Sequence, residues 1–128
     1  MSSHRVLVVE DDLEIRESVM EILEEHGYEP VGAENGLEAL DRLREPGPPP
    51  CLIMLDLMLP RMDGKEFRQE QLRHPELAHI PVVVVSAFRD ATQLVQGMHV
   101  AEVLRKPFKP EQLIDVARRY CPPVAPSA

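Results

Sequence analysis

No apolar run in the 128-residue chain is long enough to cross a membrane, and the N-terminus, MSSHRVLVVEDD, lacks the zones of a secretion signal. Basic residues are in deficit: 14 Lys and Arg stand against 22 Asp and Glu, a net charge of −8. A surface this acidic does not bind nucleic acid non-specifically through its whole extent, because phosphate backbones demand a basic footprint; a small basic patch stays open. Cysteine is scarce. Cys51 and Cys121 have no spacing that marks a disulfide framework or a zinc site, so reduced thiols in a soluble cytoplasmic protein are expected. What is present suits one domain with one core: 44% apolar and 28% charged residues.

Hydrophobic periodicity divides the chain. VLVV (6–9) and VVVV (82–85) read as strands buried on both faces, and so does LIML (52–55). YEPVGA is a weaker strand, with Pro30 suited to a strand start, and VAEVLRKPF supplies the last one. Between them the period lengthens. Ile15, Val19, Ile22 and Leu23 share one helical face, with Asp12 as cap and Gly27 as stop. NGLEALDRLR spaces Leu37, Leu40 and Leu43 as a helix, and EPGPPP breaks it. Asp63-Gly64 turns the chain into the helix KEFRQEQLRH. RDATQLVQGMH reads as a fourth helix with Leu94, Val95 and Met98 inward. KPEQLIDVARRY is the last, with Pro110 in its first turn and Leu113, Val116, Ala117 and Tyr120 on one face. The tail 122–128 is rich in proline and is expected to be disordered.

Five βα units in sequence imply a parallel sheet with helices on both faces, and ligands bind such sheets beyond the carboxyl ends of the strands. That edge gathers Glu10 and Asp11 after the first strand, Asp56 after the third, Ser86 after the fourth and Lys106 after the fifth. Three acids together carry roughly −3, and two like charges a few ångströms apart repel by about 4 kcal/mol at a surface-like dielectric. A hard divalent cation relieves this, and Mg²⁺ suits an oxygen-rich site that water and phosphate complete. A carboxylate beside such an ion can also act as a nucleophile toward phosphorus. Each residue has a plainer role when taken alone. Glu10 and Asp11 suit a helix start, Asp12 is a cap, and Ser86 is a strand-end hydroxyl. Met54, Met58 and Met62 are packing residues, because a hard cation prefers oxygen. Cys51 reads as a small buried hydrophobe, and His74 and His79 as surface residues.

VLVVEDD, LIMLDLMLPRMDG, VVVVSAF and LRKPF together resemble the signature segments of the receiver domain of two-component response regulators, from Arg5 to Tyr120. The resemblance implies an α/β flavodoxin-like (βα)5 fold with strand order 2-1-3-4-5, over residues 1–121. It implies that Asp56 accepts a phosphoryl group from a histidine kinase or phosphotransfer protein. Asp11, Asp56 and the backbone carbonyl of Met58 would coordinate Mg²⁺, with Glu10 acting through a water. Ser86 and Lys106 would bind phosphoryl oxygens, and Lys106–Pro107 would be the family's cis peptide. Met58 and Phe88 occupy the variable positions that flank the phosphoryl group and influence its lifetime.

Two features depart from the family pattern. The aromatic residue usually found three positions before the lysine is Val103, which removes half of the usual switch. The interval from Ser86 to Lys106 is short, so the fourth helix or its loops are expected to be reduced, on a face with the fifth strand and last helix that the family often uses for partners. Three rival readings fit the residues less well. A phosphohydrolase with an aspartyl nucleophile would carry a second Asp where Met58 stands. A nucleotide-binding protein would need a glycine-rich loop where VEDDLE has none. A degenerate receiver acting as an interaction module would not need the full acid, serine and lysine set. No output domain is present in this sequence, so a stand-alone regulator and a fragment both stay open.

Overall fold

The computed structural model describes residues 4–122. Its strands are β1 (Arg5–Val9), β2 (Glu29–Ala33), β3 (Leu52–Asp56), β4 (Val82–Ser86) and β5 (Glu102–Arg105). All pair in parallel, in one sheet of order β2-β1-β3-β4-β5. The central strands are the continuous apolar runs of the sequence, since a strand covered on both faces has no polar side to alternate with. Pro30 lies on the edge strand β2, where its missing N–H costs no ladder bond.

The helices are α1 (Leu13–Glu25), α2 (Gly36–Arg44), α3 (Gly64–Arg73), α4 (Pro75–Ala78), α5 (Ala91–Leu94) and α6 (Pro110–Tyr120). Two cores result, one per face of the sheet. Val19 and Leu23 of α1 and Leu113, Ile114, Val116 and Ala117 of α6 pack with Val6, Val8 and Met54. Ala39, Leu40 and Leu43 of α2 and Phe67 of α3 pack with Leu7, Ile53 and Val84 on the other side. Local caps set the boundaries: Asp12 accepts the Ile15 N–H, Asn35 the Glu38 N–H, and Asp63 forms a reciprocal box with Glu66.

The structure corrects the sequence reading in four places. The segment 89–99 is helical only over Ala91–Leu94, the shortening that the brief Ser86–Lys106 interval points to; Val95 and Met98 are buried as expected, but Leu94 is exposed. Arg68 of α3 anchors the end of that segment. Its buried guanidinium donates to the carbonyls of Met98 and His99 at 2.9 and 2.8 Å and to Gln71 at 2.8 Å. Those carbonyls, at the end of the segment, would have no partner inside a helix and are satisfied by the side chain instead. A short helix, Pro75–Ala78, begins at a proline that stops α3 but suits a helix start. Leu37 shares the helical spacing of α2 but faces solvent. Cys51 and Cys121 are not free thiols: they form a disulfide, with Cα atoms 5.6 Å apart. A separation of 70 residues carries no local signal; only the topology brings the start of β3 to the end of α6. Of the proline-rich tail, residues 123–128 lie outside the described residues.

Candidate functional site

Register fixes the site. Val9 pairs with Leu55, so Glu10 leaves the sheet beside Asp56; Asp56 pairs with Val85, and Ser86 with Arg105, one step before Lys106. Parallel strands thus deliver the polar residues of four separate segments to one edge. One carboxylate oxygen from each of Glu10, Asp11 and Asp56 lies within 4.8 Å of the others. Glu10 is buried, Asp56 half-buried and Asp11 exposed, so the cluster opens toward solvent through Asp11.

Lys106 ties the acids together. Its Nζ donates to Glu10 Oε1 at 2.5 Å and to Asp56 Oδ2 at 3.4 Å. Burial of the ammonium works against its charge, but the hydrogen bond to Glu10 and the charges of both carboxylates outweigh it and raise its pKa. Asp11 is raised as well, by burial first and then by its hydrogen bond and charge repulsion with Glu10. An anionic cluster that pushes a member's pKa upward favours a bound cation.

The backbone is equally constrained. Asp56 Oδ1 accepts the Met58 N–H at 3.2 Å, which aims the carboxylate back over the β3–α3 loop. Gly64 caps that loop: its N–H donates to the Leu57 carbonyl at 3.1 Å. A Cβ at Gly64 would stand 2.7 Å from the Asp56 carbonyl oxygen and 2.9 Å from Leu57 Cα, so only glycine fits. Ser86 is buried, and its Oγ accepts the Phe88 N–H at 3.1 Å. The Lys106 N–H donates to the Ser86 carbonyl at 2.9 Å, and the Lys106–Pro107 peptide is cis. Met58, Phe88 and Leu13 are exposed large apolar residues near these strand ends. Val103 lies away from the cluster, half-buried against the core on the α2–α3 side.

Sequence reasoning misses two supports. Arg16 donates to the Glu10 carbonyl at 2.7 Å and fixes the turn that carries Glu10 and Asp11. Its position on α1 reads as an ordinary surface arginine. Gly64 reads in the sequence only as part of a turn; the Asp-Gly pair is the available signal of its close approach.

The site therefore joins a half-buried carboxylate, two further acids fit for a hard divalent cation, a lysine and a hydroxyl at the adjacent strand end. Such a set can hold a cation by oxygen ligands and bind a phosphoryl group beside it. Residues 6–118 match the family model described as the response regulator receiver domain. The chain is 38% identical over 126 residues to the phosphate regulon transcriptional regulatory protein PhoB of Escherichia coli, covering 94% of this chain and 54% of PhoB, so it spans about half the length of that relative. It is 36% identical to the polar-differentiation response regulator DivK of Brucella anthropi, covering 90% of this chain and 94% of DivK. The chemotaxis response regulator CheY4 of Vibrio cholerae superposes with a TM-score of 0.83 at 27% identity, covering 94% of this chain and 99% of CheY4.

Proposed function

The chain belongs to the response regulator receiver family, and from that premise we propose that it is a signalling switch whose phosphoacceptor is Asp56. The observation that carries the assignment is the convergence of Asp56, Glu10, Asp11 and Lys106 at one sheet edge, with Lys106 Nζ reaching both Glu10 and Asp56. An Asp56 oxygen attacks the donor's phosphorus; the bond from phosphorus to the donor breaks, and the donor keeps its electron pair and takes a proton. Lys106 balances negative charge on the transferred group, and Ser86 offers its hydroxyl to another phosphoryl oxygen.

The donor set is all oxygen, which fits Mg²⁺: Asp11, Asp56 and the Met58 carbonyl would hold the ion, and Glu10 would reach it through a water. Bound there, the ion would spread the charge of the phosphoryl group. The protein would turn over no outside metabolite. Its donor would be a histidine kinase or histidine phosphotransfer protein. An open groove of about 510 Å³, lined by Ile15, Val19 and Ile22 of α1 and by Pro107 and Phe108, begins beside Lys106 and would seat that donor next to Asp56. The assignment is tested by borohydride trapping. An acyl phosphate on Asp56 is reduced to homoserine, and peptide mapping should find homoserine at position 56 alone. Phosphoryl label at a different residue would overturn it.

A further inference from the structure

We propose that Cys51 and Cys121 form a reversible redox site, a clasp that fixes the last turn of α6 to the sheet when oxidised and releases it on exchange with a small thiol. The pair holds both cysteines of the chain. It lies at the opposite end of β3 from Asp56, roughly 17 Å away at the rise of an extended strand. Its sulfurs therefore belong to no part of the acidic site. The Cα separation of 5.6 Å falls in the middle of the range that a disulfide bridges without moving backbone.

The two cysteines are unequally sheltered. Cys121 is 1% exposed, whereas Cys51 is half-buried. An incoming thiolate therefore meets Cys51 first. It bonds to the Cys51 sulfur, the disulfide breaks, and the Cys121 sulfur leaves with the electron pair and takes a proton. A second thiolate attacks the small molecule's sulfur in the mixed disulfide, freeing the Cys51 thiol. Two small thiols become one small disulfide, and two electrons pass to the protein. A small disulfide drives the reverse. The reductant and oxidant are thus one low-molecular-weight thiol–disulfide couple.

The other contacts of the clasp are also legible. Beyond the disulfide, Cys121 is fixed by its N–H to the Ala117 carbonyl and by the buried Tyr28 hydroxyl, which donates to the Cys121 carbonyl at 2.8 Å. Cys51 is anchored to β1 through its N–H and the Arg5 carbonyl, 2.8 Å apart. The neighbouring side chains of α6, Arg119 and Tyr120, reach Glu102 on the edge strand β5 across a partly exposed surface. The disulfide is the covalent member of this set, so its opening loosens residues 118–121 while leaving the strand ends around Asp56 in place.

The wild-type chain in glutathione buffers of graded ratio, alkylated without denaturation and then weighed intact, reads the thiol count directly. Hydrogen exchange at residues 118–121 reads the clasp. The expected result is no alkyl group under excess oxidised glutathione, two under excess reduced glutathione, and return to none when the ratio is reversed. Protection of 118–121 should fall with reduction and be low at every ratio in Cys51→Ser. Two reactive thiols under excess oxidised glutathione, a pair that reduced glutathione never opens, or equal protection in both states would each overturn the proposal.

Discussion

Gly64 shows how little room surrounds Asp56. Its Cα sits where any side chain would strike the Asp56 carbonyl and Leu57, both main-chain groups that cannot rotate away. Gly64→Ala should therefore cost about 1–3 kcal/mol, the usual range for overpacking, and should also slow phosphorylation by displacing the loop that aims Asp56. Chemical denaturation and the rate of adduct formation check the two parts. A variant with wild-type stability would show that the loop yields freely. Residue chemistry at this edge is legible because Glu10, Asp56 and Ser86 each come directly after an apolar run, and a parallel sheet sends all such endings one way. Arg16 was not legible: its contact is with a carbonyl of the turn, which no side-chain pattern marks.

Among the elements, β5 and α6 carry the clearest electrostatic signature. The Arg119 hydrogen bond holds the Glu102 pKa below its ordinary value, with burial opposing and the Tyr120 hydroxyl assisting. A carboxyl lowered in the folded state stabilises the fold above its unfolded pKa and loses that contribution as pH falls through the folded one. Glu102→Gln should thus lower the Tm at neutral pH, and the gap to wild type should close as pH falls below 4.5. Melting curves from neutral pH into acid test this; a gap that widens in acid would reverse the sign. The same strand carries Val103, whose side chain is too short to sweep between two positions as an aromatic ring does. Backbone amide shifts on the β5–α6 face should accordingly remain small when a phosphate mimic occupies Asp56, and large shifts there would contradict that weak coupling.

Helix and strand identity came from period wherever an element was long. Period alone overstates the segment 89–99, where Leu94, Val95 and Met98 keep helical spacing but the chain leaves the helix after Leu94, as the short Ser86–Lys106 interval points to. The backbone turns left-handed at Gly97 and His99, with φ of 84° and 55°, which no helix can continue through, and the buried Arg68 guanidinium holds the Met98 and His99 carbonyls in that turn. A four-residue helix after His74 was hidden by its length. No helix among the described residues is long and apolar enough to cross a membrane.

At the scale of the whole molecule, the disulfide closes a loop across 70 residues. By the loop-entropy relation such a crosslink is worth about 4 kcal/mol. Reduction should then lower the Tm by on the order of 10 °C for a domain of this size. An unchanged melting temperature in reductant would mean that the fold does not depend on the crosslink. This pairing was the least legible feature, because two cysteines far apart in sequence say nothing of their distance until the topology is known.

Asp56 is expected to take a phosphoryl group with the help of a divalent ion held by its acidic neighbours. Incubation with acetyl phosphate, with and without Mg²⁺, for wild type beside Asp56→Ala and read by intact mass, tests it most directly. One phosphoryl adduct that requires both Mg²⁺ and Asp56 is expected. An adduct that survives loss of Asp56 or of Mg²⁺, or none on a protein shown to be folded, would contradict it.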